Sequence, residues 1–356
     1  MANTILGNAL ANILYGTSEN DIILGEDGND TLYGLSGSDY VDGGNGRDTL
    51  YLFHGKHTAD GGAGDDLIFS DAGGHSITGG SGFDTVDYSL SFYGVTISVG
   101  AKYGASPNLT YVSSASGTTD SVFSVEQFVG SSYADTMKGN EGTDWFFGGR
   151  GNDKLYGNAG EDYLFGGDGD DTISGGALTD YLVGDAGNDT LMGDEGADYI
   201  WGGDGQDVLR GGNSDDVMFG DAGNDFLFGD TGNDTLNGGT GFDTLVGGEG
   251  FNEIYCGTNL GQRWPGTHDG ASDLVLHQAK QNYGGLTHDH VYQFEAGWYG
   301  NDVLQIDGST FKSVDEVFAA MKQVGDDVVI KTGFASTVTF HGASIYAFDK
   351  GDFLLV

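Results

Sequence analysis

Nineteen aspartates recur in this sequence at one position of a nine-residue period: Asp21, Asp30, Asp39, Asp48, Asp66, Asp84, Asp135, Asp144, Asp153, Asp162, Asp171, Asp180, Asp189, Asp198, Asp207, Asp216, Asp225, Asp234 and Asp243. Carboxylates repeated among glycines are hard oxygen ligands. They suit Ca²⁺, which takes roughly 6–8 oxygens at about 2.3–2.6 Å and accepts backbone carbonyls to complete its shell. A Zn²⁺ site would need His or Cys at this position, and these nineteen blocks have neither.

The period is strictest from Gly130 to Tyr255, where fourteen nine-residue blocks follow one another without insertion. Position 1 is Gly in all fourteen, position 6 is Asp in thirteen, with Asn252 in the last block, and position 8 is always a large apolar residue, from Met137 to Ile254. Repetition at a short fixed period marks a solenoid, and the glycine–aspartate nonapeptide is its calcium-binding form. Positions 1 to 6 make a glycine-rich turn. Positions 7 to 9 make a very short strand whose position 8 points to one side while 7 and 9 point to the other. Two blocks close one coil, so carboxylates eighteen residues apart, such as Asp153 and Asp171, come close enough to share an ion. Each block orders nine residues while burying one main apolar side chain, and stacked carboxylates repel. The calcium-free array is therefore expected to be disordered, with calcium binding as its folding reaction.

GGDGDDTIS at 166–174 matches the consensus GGxGxDxUx, with U large and apolar, of the repeats-in-toxin family, and most of the chain resembles that family. The resemblance implies a parallel β-roll, calcium between stacked loops, and export by a type I secretion machinery. It does not imply one activity, because such repeats accompany toxins, proteases, lipases, epimerases, adhesins and surface-layer proteins.

The same frame runs from Gly7 to Asp87. One edge of that coil carries Asn12, Asp30, Asp48, Asp66 and Asp84. The other carries Asp21 and Asp39, then His57 and His75. The plain reading of the histidines is a decayed edge with imidazoles in solvent. The alternative is a grafted site, with His54, His57 and His75 binding a transition metal or a ligand. Residues 88–129 break the period and resemble the family's spacer between arrays. VTISV (95–99) and LTYVS (109–113) read as strands of longer rungs continuing the coil, with Val122, Val125 and Phe128 in its core. Asp120 and Glu126, six apart in a strand-like segment, are a possible carboxylate pair for catalysis.

From residue 256 the glycine content returns to normal. Strands are expected at 273–277, 290–296, 302–307, 326–332 and 336–342. A helix is expected where Ser313 and Glu316 form a capping box before VFAAM. This tail resembles the cap and secretion-signal region of exported repeat proteins, and DKGDFLLV at its end has the acidic-then-apolar character of such signals. A solenoid end exposes strand edges and needs a cap. THDH (287–290) has metal-ligand spacing if it is a strand, against exposed polar histidines, which also covers His268, His277 and His341. Trp264, Trp298 and Tyr299 are read as cap core rather than a sugar-stacking platform.

The expected architecture is thus all-β: a calcium-bound parallel β-roll or β-helix solenoid of two nonapeptide arrays, 1–87 and 130–255, joined by a β spacer, 88–129, with a small, mostly β C-terminal cap, 256–356. The 356 residues carry 54 acidic and 13 basic side chains, a formal charge of −41. Much of it is ligand charge, which about fifteen Ca²⁺ would offset. Nucleic acid and anionic membranes are poor partners for it. One cysteine, Cys256, excludes an internal disulfide framework. No apolar run is long enough for a transmembrane helix, and MANTILGNALANILYG lacks the features of a cleavable signal peptide. No histidine is followed by Glu, as HExxH requires, and no G-x-S-x-G occurs, so no catalytic motif supports an enzyme. Three roles follow. The first is a secreted, extracellular calcium-binding protein with a structural, accessory or surface-interaction role. The second is a polysaccharide-active enzyme or its non-catalytic module, and the third an adhesin for a cell surface or extracellular polysaccharide. Irregular residues at positions 3 and 5 speak against ice as the adhesin's target.

Overall fold

Positions 7 to 9 start the strands because their branched and aromatic residues suit a pleated, half-buried surface, and in many coils the strand runs on through the glycines to position 3, as in Tyr40–Asn45 and Tyr181–Ala186. The computed structural model describes residues 3–100 and 109–257 and, beyond them, 274–277, 287–292, 303–306, 311–325, 327–332, 337–341 and 352–355, with positions 343 and 348. Two units, Met1–Thr172 and Ile173–Val356, are each built as a parallel β-solenoid.

In the first unit, Thr4–Leu6, Ile22–Leu24, Tyr40–Asn45, Thr58–Ala63 and Ser76–Ser81 pair in parallel, each eighteen residues after the last. Ile13–Tyr15, Thr31–Tyr33, Thr49–Leu52, Leu67–Ser70 and Thr85–Asp87 form the second wall in the same register. In the second unit, Tyr181–Ala186, Tyr199–Gly205, Val217–Gly223, Thr235–Asn237 and Gly250–Tyr255 make one wall. Thr190–Glu195, Val208–Asn213, Phe226–Thr231 and Thr244–Val246 make the other.

Position 8 fills the space between the walls. Leu32, Leu50, Ile68, Ile77 and Val86 in the first unit, and Ile200, Leu209, Met218, Leu227 and Leu236 in the second, are fully buried. The alternation is sharp enough to test. Leu209→Ala is expected to lower stability by about 2–5 kcal/mol, whereas Val208→Ala, one residue away on the outer face, is expected to stay within about 0.5 kcal/mol. Thermal unfolding of both variants in saturating calcium checks it.

Outward positions 7 and 9 also stack. Tyr15, Tyr33, Tyr51 and Phe69 form a column with ring centroids 4.7, 4.5 and 4.8 Å apart and planes within 8°. Trp145–Tyr163 and Phe147–Phe165 continue the theme at 3.9 and 4.6 Å. In such stacks the ring faces are spent on each other and the edges point to solvent, which adds axial cohesion to the coil.

The spacer departs from simple longer rungs. Val95–Ser98 pairs antiparallel with Leu109–Ser114, which pairs antiparallel with Thr119–Phe123. The outer two of these strands then join parallel neighbours, Thr136–Lys138 and Ser76–Ser81. Two reversals restore the original direction, so the solenoid resumes in phase. Val122 and Phe128 are buried as expected, but Val125 is only partly buried because it precedes the turn into Gln127–Val129.

In the tail, strands occupy Leu274–His277, Thr287–Tyr292, Val303–Ile306, Met321–Val324, Asp327–Lys331, Thr337–Phe340 and Phe353–Leu355. Met321–Val324, Asp327–Lys331 and Thr337–Phe340 form an antiparallel meander, and Thr337–Phe340 pairs in parallel with Thr287–Tyr292. The one helix among the described residues, Val314–Ala320, starts where the capping box places it, with Ser313 Oγ accepting the Glu316 N–H at 3.3 Å. The Glu316 carboxylate reaches one residue further back than in the standard box, accepting the Lys312 N–H at 2.7 Å. Trp264, His268, Trp298 and Tyr299 lie outside the described residues, as do parts of the DKGDFLLV ending.

Candidate calcium-binding loops

The position-6 side chains are inside the molecule. All nineteen aspartates are buried, none above 5 % exposed. The reason is a ladder: where aspartates follow one another up the coil, the position-6 backbone N–H donates to Oδ1 of the aspartate one coil later. Asp30 donates to Asp48 at 2.7 Å, Asp48 to Asp66 at 2.8 Å and Asp66 to Asp84 at 2.9 Å. In the second unit Asp198 donates to Asp216 at 2.8 Å, Asp207 to Asp225 at 2.8 Å and Asp216 to Asp234 at 3.0 Å.

That leaves Oδ2. In Asp30, Asp48, Asp66, Asp84 and Asp153, and in Asp198, Asp207, Asp216, Asp225 and Asp234, it is buried with no hydrogen-bond partner. A buried carboxylate oxygen without a donor is costly. The oxygen points into the space beside the position-1 glycine. A Cβ on Gly25 would stand 2.6 Å from Asp30 Oδ2, and one on Gly220 2.6 Å from Asp225 Oδ2. The carbonyl oxygen of the glycine one coil later would be closer still at both Gly25 and Gly220, so close approach, not an unusual dihedral, explains why position 1 is glycine.

Burial dominates the proton affinity of these groups, and neighbouring carboxylates add to it in most of them. Asp225 and Asp234 are pushed up to about 8, and Asp66 and Asp216 to about 7. Burial first, then Asp30 and Asp42, raises Asp48 to about 6. The chemistry of this donor set, orphaned hard oxygens in rows beside carbonyl-lined glycine turns, fits a divalent cation of the calcium type. Among the described residues no three His, Cys, Asp or Glu side chains converge on one point, so backbone carbonyls would have to supply much of any shell.

Not every loop is of this open kind. Thr17 donates its N–H and hydroxyl to Asp21 Oδ2 at 2.6 and 2.7 Å, and Ser131 N–H donates to Asp135 Oδ2 at 2.6 Å. Asn140 N–H donates to Asp144 Oδ2 at 2.9 Å. In these loops position 2 is outside the left-handed region and its amide turns inward. In the open loops position 2 is left-handed, as at Gly44 (φ 101°), Asp194 (φ 74°) and Asp230 (φ 66°), and the amide faces elsewhere. Burial pulls Asp21 upward, but the donors from Thr17 and Asn3 outweigh it and leave its pKa lowered.

The histidines are not in solvent. His57 and His75 are 1 % and 2 % exposed and stack at 5.1 Å in the ladder position of the missing aspartates. His57 Nδ1 lies 3.0 Å from Asp39 Oδ2, and its Nε2 lies 3.2 Å from the Phe53 carbonyl oxygen. His75 Nδ1 accepts the His57 N–H at 3.1 Å, and its Nε2 lies 3.0 Å from Asp71 Oδ1. With every ring nitrogen engaged, neither is presented to a transition metal. His54 joins only through its backbone N–H, to Asp71 Oδ2 at 3.1 Å.

Asp120 and Glu126 do not form a pair. Asp120 is fully buried and accepts from the Gly74 and His75 N–H groups and from the Ser70 and Tyr88 hydroxyls. Glu126 accepts the Asp84 N–H at 2.9 Å on the other edge. Each stands in for a position-6 aspartate where the period is broken, a role no linear spacing reveals. In the tail, His341 Nδ1 lies 3.1 Å from Asp327 Oδ2, and Cys256 is buried.

The model of the RTX calcium-binding nonapeptide repeat matches residues 15–50 and 58–86 and, in overlapping stretches, 125–255. That is more than half of the chain. It belongs to the RTX calcium-binding repeat family. No curated protein matches its sequence. Solved structures similar to this RTX chain include the extracellular lipase LipA from Serratia marcescens, 16% identical, TM-score 0.21, covering 100% of this chain and 40% of the lipase. This RTX chain therefore spans well under half of the lipase's length. Another is a hyperactive, Ca2+-dependent, beta-helical antifreeze protein from an Antarctic bacterium, 17% identical, TM-score 0.26, covering 91% of this chain and 95% of that one.

Proposed function

We propose that this RTX chain is a secreted calcium-binding protein whose solenoid folds on meeting extracellular calcium after export as an extended chain by a type I secretion machinery. Its role outside the cell is structural, accessory or in surface interaction. The observation that carries this reading is the row of buried carboxylate oxygens without donors in the open loops. Position-6 Oδ2 atoms and the glycine-turn carbonyls would hold the ions, roughly a dozen or more. Calcium there supplies positive charge that offsets both the desolvation and the mutual repulsion of the carboxylates. The family membership and the formal charge of −41 support the same reading.

The test is a calcium titration of chelator-treated full-length chain by far-UV circular dichroism. A cooperative coil-to-β transition near millimolar calcium is expected. A β spectrum already complete in chelator and unchanged by calcium would sink the proposal.

A further inference from the structure

In the first unit the two edges of the coil are chemically different. Along one edge Asp30, Asp48, Asp66 and Asp84 each leave a buried Oδ2 without a donor. Along the other, from Asn3 through Asp21, Asp39, His57 and His75 to Asp120, the protein itself supplies a partner at every step but one, the Oδ2 of Asp39. Asn3 donates its backbone N–H (3.2 Å) and Nδ2–H (2.9 Å) to Asp21 Oδ1, and Thr17 satisfies Oδ2. The Asp21 N–H donates to Asp39 Oδ1 at 2.7 Å and the Asp39 N–H donates to His57 Nδ1 at 3.3 Å, so the ladder runs through the imidazole while Asp39 Oδ2, 3.0 Å from that nitrogen, is left without a donor. His75 accepts from His57, and Asp120 closes the column with four donors.

We infer that this edge is a calcium-independent spine, which holds the first array's coils in register before any ion binds. Two imidazoles replace two anions, so the like-charge contacts that the opposite edge suffers are absent from the middle of the column. The spine also fixes strand starts directly: the Thr58 N–H bonds the Asp39 carbonyl at 2.8 Å, Ser76 bonds His57 at 2.9 Å and Ser121 bonds His75 at 2.9 Å. Those strands are Thr58–Ala63, Ser76–Ser81 and Thr119–Phe123, so one wall of the first array and its junction with the spacer are pinned. A pre-ordered array offers the rungs that follow a template, and removes the nucleation cost that a short-strand solenoid otherwise meets with every coil open. The inference concerns the first array alone. It rests on the calcium-coupled reading above only for the contrast between arrays.

Hydrogen exchange of the full-length chain in chelator, read by mass spectrometry on peptides, tests it. Peptides spanning 57–63 and 75–81 are expected to exchange ~10-fold or more slowly than peptides spanning 198–204 and 216–222. Exchange of 57–63 and 75–81 at the rate of an unstructured chain overturns the spine. Strong protection of 198–204 in chelator would instead count against calcium-coupled folding. The double variant His57→Asp/His75→Asp restores the repeat consensus. It is expected to lose the chelator-resistant protection, regain it on adding calcium, and bind more calcium than the parent by equilibrium dialysis. Retention of the protection in chelator by this variant also overturns the inference.

Discussion

The triple variant Asp216→Asn, Asp225→Asn, Asp234→Asn is expected to hold more β structure than the parent in chelator, and to unfold at a lower temperature than the parent in saturating calcium. Both signs come from one atom. Asparagine keeps Oδ1, so the backbone ladder survives, as it does at Asn252, whose Oδ1 accepts the Asp234 N–H at 3.0 Å. What changes is Oδ2, an orphaned anionic oxygen in the parent. Without calcium its removal relieves a buried charge whose cost, at about pH 8, is on the order of a few kcal/mol per group for carboxylates displaced this far. With calcium the same change deletes a ligand, and the stabilisation from mass action shrinks with the weakened affinity. Far-UV circular dichroism in chelator and thermal unfolding in calcium, each on parent and variant, check the two signs. If the variant is destabilised in both conditions, the carboxylates serve as hydrogen-bond struts rather than as cation ligands.

The second large effect is on pH. Calcium-free chain is expected to gain stability as pH falls from about 8 to about 5. The carboxylates of Asp48, Asp84, Asp198 and Asp207 are raised to about 6, those of Asp66 and Asp216 to about 7, and those of Asp153, Asp225 and Asp234 to about 8, all chiefly by burial. In the unfolded chain they return to the ordinary aspartate value of 3.8. Between those limits the folded chain binds more protons than the unfolded one. The proton-linked stabilisation is therefore complete below the unfolded value and is lost as pH rises through about 6 to 8. The calcium-bound chain has the opposite slope over the same interval, because protons and cations compete for the same oxygens. Far-UV circular dichroism in calcium-depleted buffer across this interval checks the sign, as β content that grows toward pH 5. The acid limit is set by solubility, since the sequence pI is ≈ 4.1. A β content in calcium-depleted buffer that grows from pH 5 to pH 8 would contradict the burial argument.

Much of this was open to reading in the sequence because a nine-residue period constrains every level at once. Position 8 had to be core, and Leu32, Ile200 and Leu209 are. The eighteen-residue register follows from two blocks per coil, and the strand pairs obey it. The aromatic column at Tyr15, Tyr33, Tyr51 and Phe69 was equally legible at that spacing, yet only attention to position 9 would have found it. What the period could not convey lies where it is broken. His57 and His75 looked like lost ligands because a residue type was compared with a consensus. Their burial depends on Asp39, Asp71 and Asp120, one of which comes from a non-repeating strand. Asp120 and Glu126 acquire their places only through the two strand reversals of the spacer, which carry no short motif. The distinction between open and closed loops rests on the backbone at position 2, where Thr17, Ser131 and Asn140 differ from Gly44 or Asp194 in dihedral angle as well as in type.

The ladder's direction has a further consequence. Each position-6 amide leans on an acceptor from the coil that follows it, so the two ends of a column need opposite kinds of cap. At the start a carboxylate is left over and wants donors, which Thr17 and Asn3 give Asp21, and Ser131 and Val95 give Asp135. At the finish an amide is left over and wants an acceptor, which Glu126 gives Asp84 and Asp120 gives His75. Such an array has polarity in the sense that a helix does. Shortened from its front it strands an anion, which a cation or a proton can still answer. Shortened from its rear it strands a buried N–H, which neither can.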